Sequence, residues 1–246
     1  VLARKNTCPG DILIAVQGAG GGTVTAAALF YGRHNYVRYT LDITALRTAI
    51  ALMDAPEEVK KYIHTVIDIS NGGIRGDLHE LAKASGCRLS VRRSDMDILL
   101  RRELRKMLEE LEIDFLGIST GALLISVHPE GVPEIEKLLH KTGAHFKQIG
   151  KADNNPGNSF KKRNTKEKTE RTEKTEKKRA ELEITSPAVM MDGKPFLPMF
   201  REEAYTPIKK VVASRKAPEI EQLKKRISDA YKVSLHKKKK LLRMLV

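Results

Sequence analysis

The chain has 246 residues, 41% of them hydrophobic, with a formal net charge of +14, no Trp and only two cysteines, Cys8 and Cys87. That length suffices for one large domain, or one domain with appendages, and the cysteine count excludes a disulfide framework or a cysteine-rich zinc site. No apolar run reaches the roughly 18–20 residues of a membrane span. Nor does an apolar run with a cleavage site follow the basic start Val1-Leu2-Ala3-Arg4-Lys5, so a reduced, cytoplasmic protein is expected.

The apolar runs concentrate in the first 150 positions, where a core is expected. Asp11 to Val16 reads as a buried strand after a Pro9-Gly10 turn. Gly18-Ala19-Gly20-Gly21-Gly22-Thr23 follows and leads into a small-residue helix through Ala26–Leu29. Residues 43–62 read as helical with a break near Ala55-Pro56, and His64–Ile69 is a β-branched strand. After the Ser70-Asn71-Gly72-Gly73 turn, Ile74, Leu78, Leu81 and Ala82 fall on one helical face, and Gly86 closes that helix. Residues 87–91 read as a strand, Leu100–Leu111 as an amphipathic helix and Ala122–Val127 as a strand. Pro133–His140 is a helix and His145–Ile149 a strand. The expected class is α/β (α+β), a mixed sheet with helices packed on one face.

From about 154 to 181 Lys, Glu, Thr and Arg displace apolar residues, so this stretch cannot offset its ordering entropy by burial. Strand character resumes over Glu183–Met191, with a hairpin-like turn at Met191-Asp192-Gly193-Lys194. Pro218 opens a final helix with Ile220, Leu223, Ile227, Ala230 and Tyr231 on one stripe, followed by Lys237–Lys240. The expected division is a linker remnant over 1–8, a domain over 9–152, a charged segment over 153–182 and an extension over 183–246. Because Val1 leads almost directly into a strand, an N-terminal half is expected upstream.

Two turns carry candidate chemistry. In Asp68-Ile69-Ser70-Asn71-Gly72-Gly73 a glycine turn feeds a helix N-terminus, whose free N–H groups favour phosphate. Asp68 there could hold magnesium through oxygen, and Ser70 could reach a phosphate oxygen. A plain capped turn fits the same residues. Gly20, Gly21 and Gly22 form a second possible anion cradle. That loop lacks the Lys-Ser/Thr of a phosphate loop, and a hinge reading is equally open. His64 could serve as an acid or base, though a structural role is the commoner one. Cys87 reads as core, and His79 as solvent-side.

Together these segments resemble the C-terminal domain shared by aminoimidazole ribonucleotide (AIR) synthetase, selenophosphate synthetase, thiamine monophosphate kinase and the hydrogenase-maturation dehydratase. The resemblance runs in order through Pro9–Ile14, the Gly18–Gly22 loop, Asp68–Ile74, Gly117–Leu124 with Pro129-Glu130, and Gln148–Lys151. Phe200–Pro207 looks like an archaeal-type branch of uncharacterised relatives. The resemblance implies an ATP-dependent, Mg2+-dependent enzyme acting on a small molecule, with protomers that dimerise through their N-terminal halves. It would make Asp68 a Mg2+ ligand and Ser70, Gly72 and Gly73 ATP contacts, with the Gly20–Gly22 loop near the substrate. Asn71 stands where the kinase branch has a second acidic ligand, and an amide is the poorer ligand. The chain ends Arg243–Val246 without the terminal cysteine of the hydrogenase-maturation branch, which counts against that chemistry. The alternative class is a non-catalytic interaction module that binds nucleic acid through its lysine-rich segments. The lack of Trp and scarcity of aromatic residues disfavour it.

Overall fold

The computed structural model describes residues 2–70, 72–155 and 188–198, together with helical positions Lys225 and Asp229. The expected segment 153–182 and most of the extension lie outside the described residues, as does Asn71.

A seven-stranded sheet forms the frame, in the order β2-β4-β1-β5-β3-β6-β7. The strands are β1 (Ile12–Val16), β2 (Ile63–Asp68), β3 (Arg88–Val91), β4 (Leu123–Val127), β5 (Phe146–Asp153), β6 (Val189–Met191) and β7 (Lys194–Pro195). Among the described strands β3 and β6 pair in parallel and the other ladders are antiparallel, so the sheet is mixed as expected. The continuous apolar run of β1 has a structural cause. β1 lies between β4 and β5, and both of its faces are covered.

Alternation along β1 sends Leu13 and Ala15 to one layer and Ile14 and Val16 to the other. The larger layer holds α1 (Gly21–Phe30), α4 (Gly73–Ser85) and α5 (Arg102–Glu110). It meets the expected helical face, with Ile74, Leu78, Leu81 and Ala82 buried. A smaller second layer, with α2 (Thr44–Met53) and α6 (Val132–Lys141), covers the opposite face over β1, β2 and β4. The break expected near Ala55-Pro56 separates α2 from α3 (Glu57–Lys60). Gly86 ends α4 at φ 75°, and its N–H donates to the Ala82 carbonyl at 2.9 Å.

A register shift in β2 between Ile63 and Thr65 lets Ile63 and Ile67 face different layers although they stand four residues apart. His79 departs from the solvent-side expectation. It is half-buried, and its Nε2 lies 2.6 Å from the Phe196 carbonyl oxygen, an acceptor that puts the proton on Nε2. Burial holds its pKa below the usual histidine value. The chain returning through residues 188–198 covers that flank of α4. Cys87 is core, as expected, and burial pushes its thiol pKa up.

Candidate functional site

The two glycine turns leave the same end of the sheet. Val16, at the end of β1, and Asp68, at the end of β2, both register with Leu123 of the strand between them. The turns therefore start two strand spacings apart, about 10 Å. The connection into β4 fills the gap. The Gly20 N–H donates to the Thr120 carbonyl at 2.6 Å, the Thr120 N–H to Ile69 at 3.3 Å, and the Ile69 N–H to Ala122 at 2.7 Å. Ser119 Oγ also donates to the Ile69 carbonyl, at 3.3 Å.

Close backbone approach is why glycine stands at two of these positions. A side chain at Gly18 would run into the Thr120 carbonyl oxygen and the Ala122 nitrogen. One at Gly73, where φ is +63°, would run into the Leu116 carbonyl oxygen.

The turn after β2 carries Asp68 exposed at the strand end, and Ser70 partly buried. The Ser70 N–H donates to the Asp77 carboxylate at 3.2 Å, and Gly72 and Gly73 open α4. Asp77 is buried, which raises its pKa, and Arg4 Nη2 lies 3.1 Å from its Oδ1. The Ser70 N–H is therefore already donated and is not free for an anion. Sequence alone gave no sign of that contact, because Asp77 lies seven residues downstream of Ser70.

The turn after β1 is better suited to an anion. α1 has no acidic residue in its first turn, and its first N–H groups have no partner within the helix. A Cβ built on Gly121 would lie 3.7 Å from the Gly21 nitrogen and 4.0 Å from those of Ala19 and Gly20. The Ala19 and Gly21 nitrogens thus flank one point that a side chain at 121 would fill, while the Gly20 N–H between them is already donated to the Thr120 carbonyl. Beside it, Thr120 is fully buried and its Oγ1 has no hydrogen-bond partner. Such a group costs free energy unless a ligand or water completes it.

Cationic residues that the sequence reading did not single out frame this end. Gly18 bridges to Leu100, and its N–H donates to the Leu99 carbonyl, so Arg101 follows directly. The Arg101 guanidinium lies 5.8 Å from the Tyr39 ring centre and that of Arg38 lies 4.7 Å from it. No motif marks these residues, because two separate segments supply them.

Among the described residues, no three His, Cys, Asp or Glu side chains converge as a metal-ligand group. Asp68 offers one exposed carboxylate. That fits a magnesium ion held mainly by phosphate oxygens and water, and does not fit an all-protein metal cage.

His64 stands apart from both turns. It lies four residues from Asp68 along β2, about 13 Å by strand rise, at the opposite end of the sheet. Of the two readings of His64, the structure places it in the structural one, away from both turns. Its Nδ1 is 2.7 Å from Asp11 Oδ2, which also accepts from the Cys8 N–H at 2.9 Å and Ser126 Oγ at 2.7 Å. Asp11 anchors the entry into β1.

Fold and turns define a mixed-sheet α/β domain with two glycine turns opening helices at one end. The chain belongs to the family described as AIR synthase related protein, C-terminal domain, which matches residues 8–163. It is 31% identical over 239 residues to the uncharacterized protein MJ1416 of Methanocaldococcus jannaschii, covering 96% of this chain and 45% of that protein. The chain thus spans about half the length of this curated relative, and the likeness extends beyond the matched domain. Among solved structures it is similar to E. coli HypE, a hydrogenase maturation protein (21% identity, 63% of this chain and 46% of that one, TM-score 0.46). It is also similar to thiamine-monophosphate kinase from Stenotrophomonas maltophilia K279a (15% identity, 79% and 54%, TM-score 0.46). Among the described residues no helix is long and apolar enough to cross a membrane.

Proposed function

We propose that the chain is the C-terminal half of an ATP-dependent enzyme of the AIR synthetase superfamily. In this reading it activates a small-molecule substrate by Mg2+-dependent phosphoryl transfer, and its protomers dimerise through the N-terminal halves. The supporting observation is the open point beside the Ala19 and Gly21 nitrogens at the start of α1, which a side chain at 121 would fill.

ATP with magnesium would supply the transferable phosphoryl group and neutralise part of its charge. The residues of this chain bind and orient. The Ala19, Gly21 and Gly22 amides at the N-terminus of α1 cradle phosphate oxygens, while the Gly20 N–H holds the Thr120 loop in place. Asp68 holds the magnesium side of the nucleotide, and Arg101 adds positive charge beside the cradle. The Ser70, Gly72 and Gly73 turn takes the second place, because its Ser70 N–H is already donated to Asp77.

Calorimetric titration of Mg-ATP into the chain tests this. Saturable binding is expected to fall at least about tenfold in Gly121→Ala, whose methyl group occupies the cradle. Asp68→Asn is expected to reduce the magnesium dependence while leaving metal-free binding unchanged. Binding that survives Gly121→Ala in a folded protein would put the nucleotide elsewhere. No binding at millimolar nucleotide would remove this chain's amides from the site.

A second reading, an interaction module that binds nucleic acid, has one observation in its favour. Residues 1–157 carry 20 Lys and Arg against 19 Asp and Glu, so nearly the whole charge excess lies downstream of them.

A further inference from the structure

α2 is apolar on two faces. Leu52 is fully buried in the smaller layer, and Ala45 and Ala49 pack against it. On the outward side Leu46, Ile50 and Met53, with Ile43 at the N-cap and Leu41 before it, are each 51% or more exposed. Seven large apolar side chains are exposed among the described residues, and these are five of them. Positions 43, 46, 50 and 53 follow helical spacing, so they form one stripe about 15 Å long. A contiguous apolar set of this kind marks contact with another surface.

We propose that this stripe pairs two copies of the chain, α2 against α2, antiparallel about a two-fold axis near Ile50. The contact lies within the chain itself and is distinct from pairing through N-terminal halves. Charge on one flank of the stripe singles out the occupant. Exposed Arg47 and exposed Asp54 stand seven residues apart, about two helical turns, on the same side of the stripe. In an antiparallel two-fold pair, each helix turns the same flank toward the other. Centred between Ile50 and Ala51, that pair sets Arg47 level with the partner's Asp54 and Asp54 level with the partner's Arg47. The same register brings Ile50 against the partner's Ile50 at the axis, with Leu46 near the partner's Met53.

A parallel pair would instead set Arg47 level with the partner's Arg47 and Asp54 level with the partner's Asp54, so charge selects the antiparallel one. The other acids near the stripe do not reverse this. Asp42, just before α2, is engaged within its own chain, where its Oδ1 accepts from the Thr44 hydroxyl at 2.6 Å and the Thr44 N–H at 2.8 Å. Those bonds, the hydroxyl's first, hold its pKa below the usual carboxylate value, and Arg101 and Arg47 add to the effect. A straight continuation of α2 would bring Glu58 near the partner's Asp42, but Pro56, with ψ 150°, ends the helix before it. Glu57, beside it, pairs with Lys60 Nζ at 3.1 Å.

The size of the contact sets its strength. One stripe of five side chains on each copy is at the small end of specific protein interfaces, where association is weak, so a dimer with a micromolar Kd is expected. Two-fold symmetry makes every charge change at 47 or 54 count twice, once on each side of the axis.

Sedimentation equilibrium of the chain across the micromolar range tests the pairing. A monomer–dimer equilibrium is expected in the parent. Arg47→Glu alone and Asp54→Arg alone are each expected to raise Kd about tenfold or more, because each puts like charges together on both sides of the axis. Mixing the two variants is expected to restore association to within about threefold of the parent, since every acid in the mixed pair then faces a base. Ile50→Asp is expected to leave a monomer. Should Ile50→Asp disturb the domain itself, the charge variants still decide, since both positions are exposed. Three results would overturn the proposal: a monomer at every concentration, a dimer that Arg47→Glu leaves unchanged, or a loss of association that mixing does not restore. The first would leave the stripe to another occupant, and the other two would place the dimer contact elsewhere or in another register.

Discussion

Asp95 is almost entirely buried, yet it joins two cations from different segments. Lys147 Nζ of β5 lies 2.6 Å from Oδ1, and the guanidinium of Arg92, just past β3, contacts Oδ2. The hydrogen bond from Lys147, then that from Arg92, holds its pKa below the usual carboxylate value of 3.8. A carboxyl with a depressed folded pKa adds stability above the unfolded value, and that stability is lost as pH falls through the folded pKa. Asp95→Asn should therefore flatten the loss of stability below about pH 4, measured by urea unfolding across the acid range. Asp77 has the opposite sign. Burial raises its pKa, so the folded chain keeps a proton that the unfolded chain has released. Stability then falls as pH rises between the two values, and Asp77→Asn should remove that decline. Asp11 accepts three hydrogen bonds while 1% exposed. Asp11→Ala leaves those donors unmatched and should cost about 3 kcal/mol, read from the denaturation midpoint.

Among the elements, α4 rests on its first residue. Gly73 combines a positive φ with a backbone crossing, so Gly73→Ala meets both left-handed strain and overlap with the Leu116 carbonyl. The left-handed conformation alone costs about 1 kcal/mol, and displacing the 115–118 segment adds to it. We expect a lowered denaturation midpoint, with weaker nucleotide binding as the Thr120 loop shifts. Elements of this kind were legible in sequence wherever a local pattern carried them. The apolar runs of β1, β2 and β4 and the stripes of α4, α5 and α6 sit within a few residues of expectation, because burial on one or both faces writes its period into the chain. β5 runs on to Asp153, past the expected Ile149, since its Lys147, Gln148 and Lys151 are exposed and break the apolar signal. The 3-10 segments at His34–Leu41 and Arg93–Leu99 have no such period and were not foreseen. The candidate site divides the same way. Both glycine turns announce themselves by composition. Their relative merit does not, because the carboxylate behind Ser70 and the Gly121 cradle arise from contacts between distant segments.

For the whole molecule, charge and fold separate along the chain. Residues 1–157 are nearly neutral and contain the strands β1 to β5 and both core layers, apart from Val189 and Phe196, while the excess charge follows them. The lysine-rich stretches 158–181 and 236–240 hold few apolar side chains, so their burial cannot contribute much to stability. Removing both should leave the unfolding free energy within about 0.5 kcal/mol of the parent. Mg-ATP binding should also keep its affinity at moderate salt, where charges more than about 10 Å from the cradle are screened. Binding to single-stranded RNA provides the contrast. Contacts made by these lysines release counterions, so affinity should fall steeply with salt in the parent and lose that dependence in the deleted chain. Parallel titrations of nucleotide and RNA, with and without the two stretches, separate the roles. If Mg-ATP binding disappears with the lysines, the phosphate contacts belong to the tail, and the glycine cradle loses its assigned role.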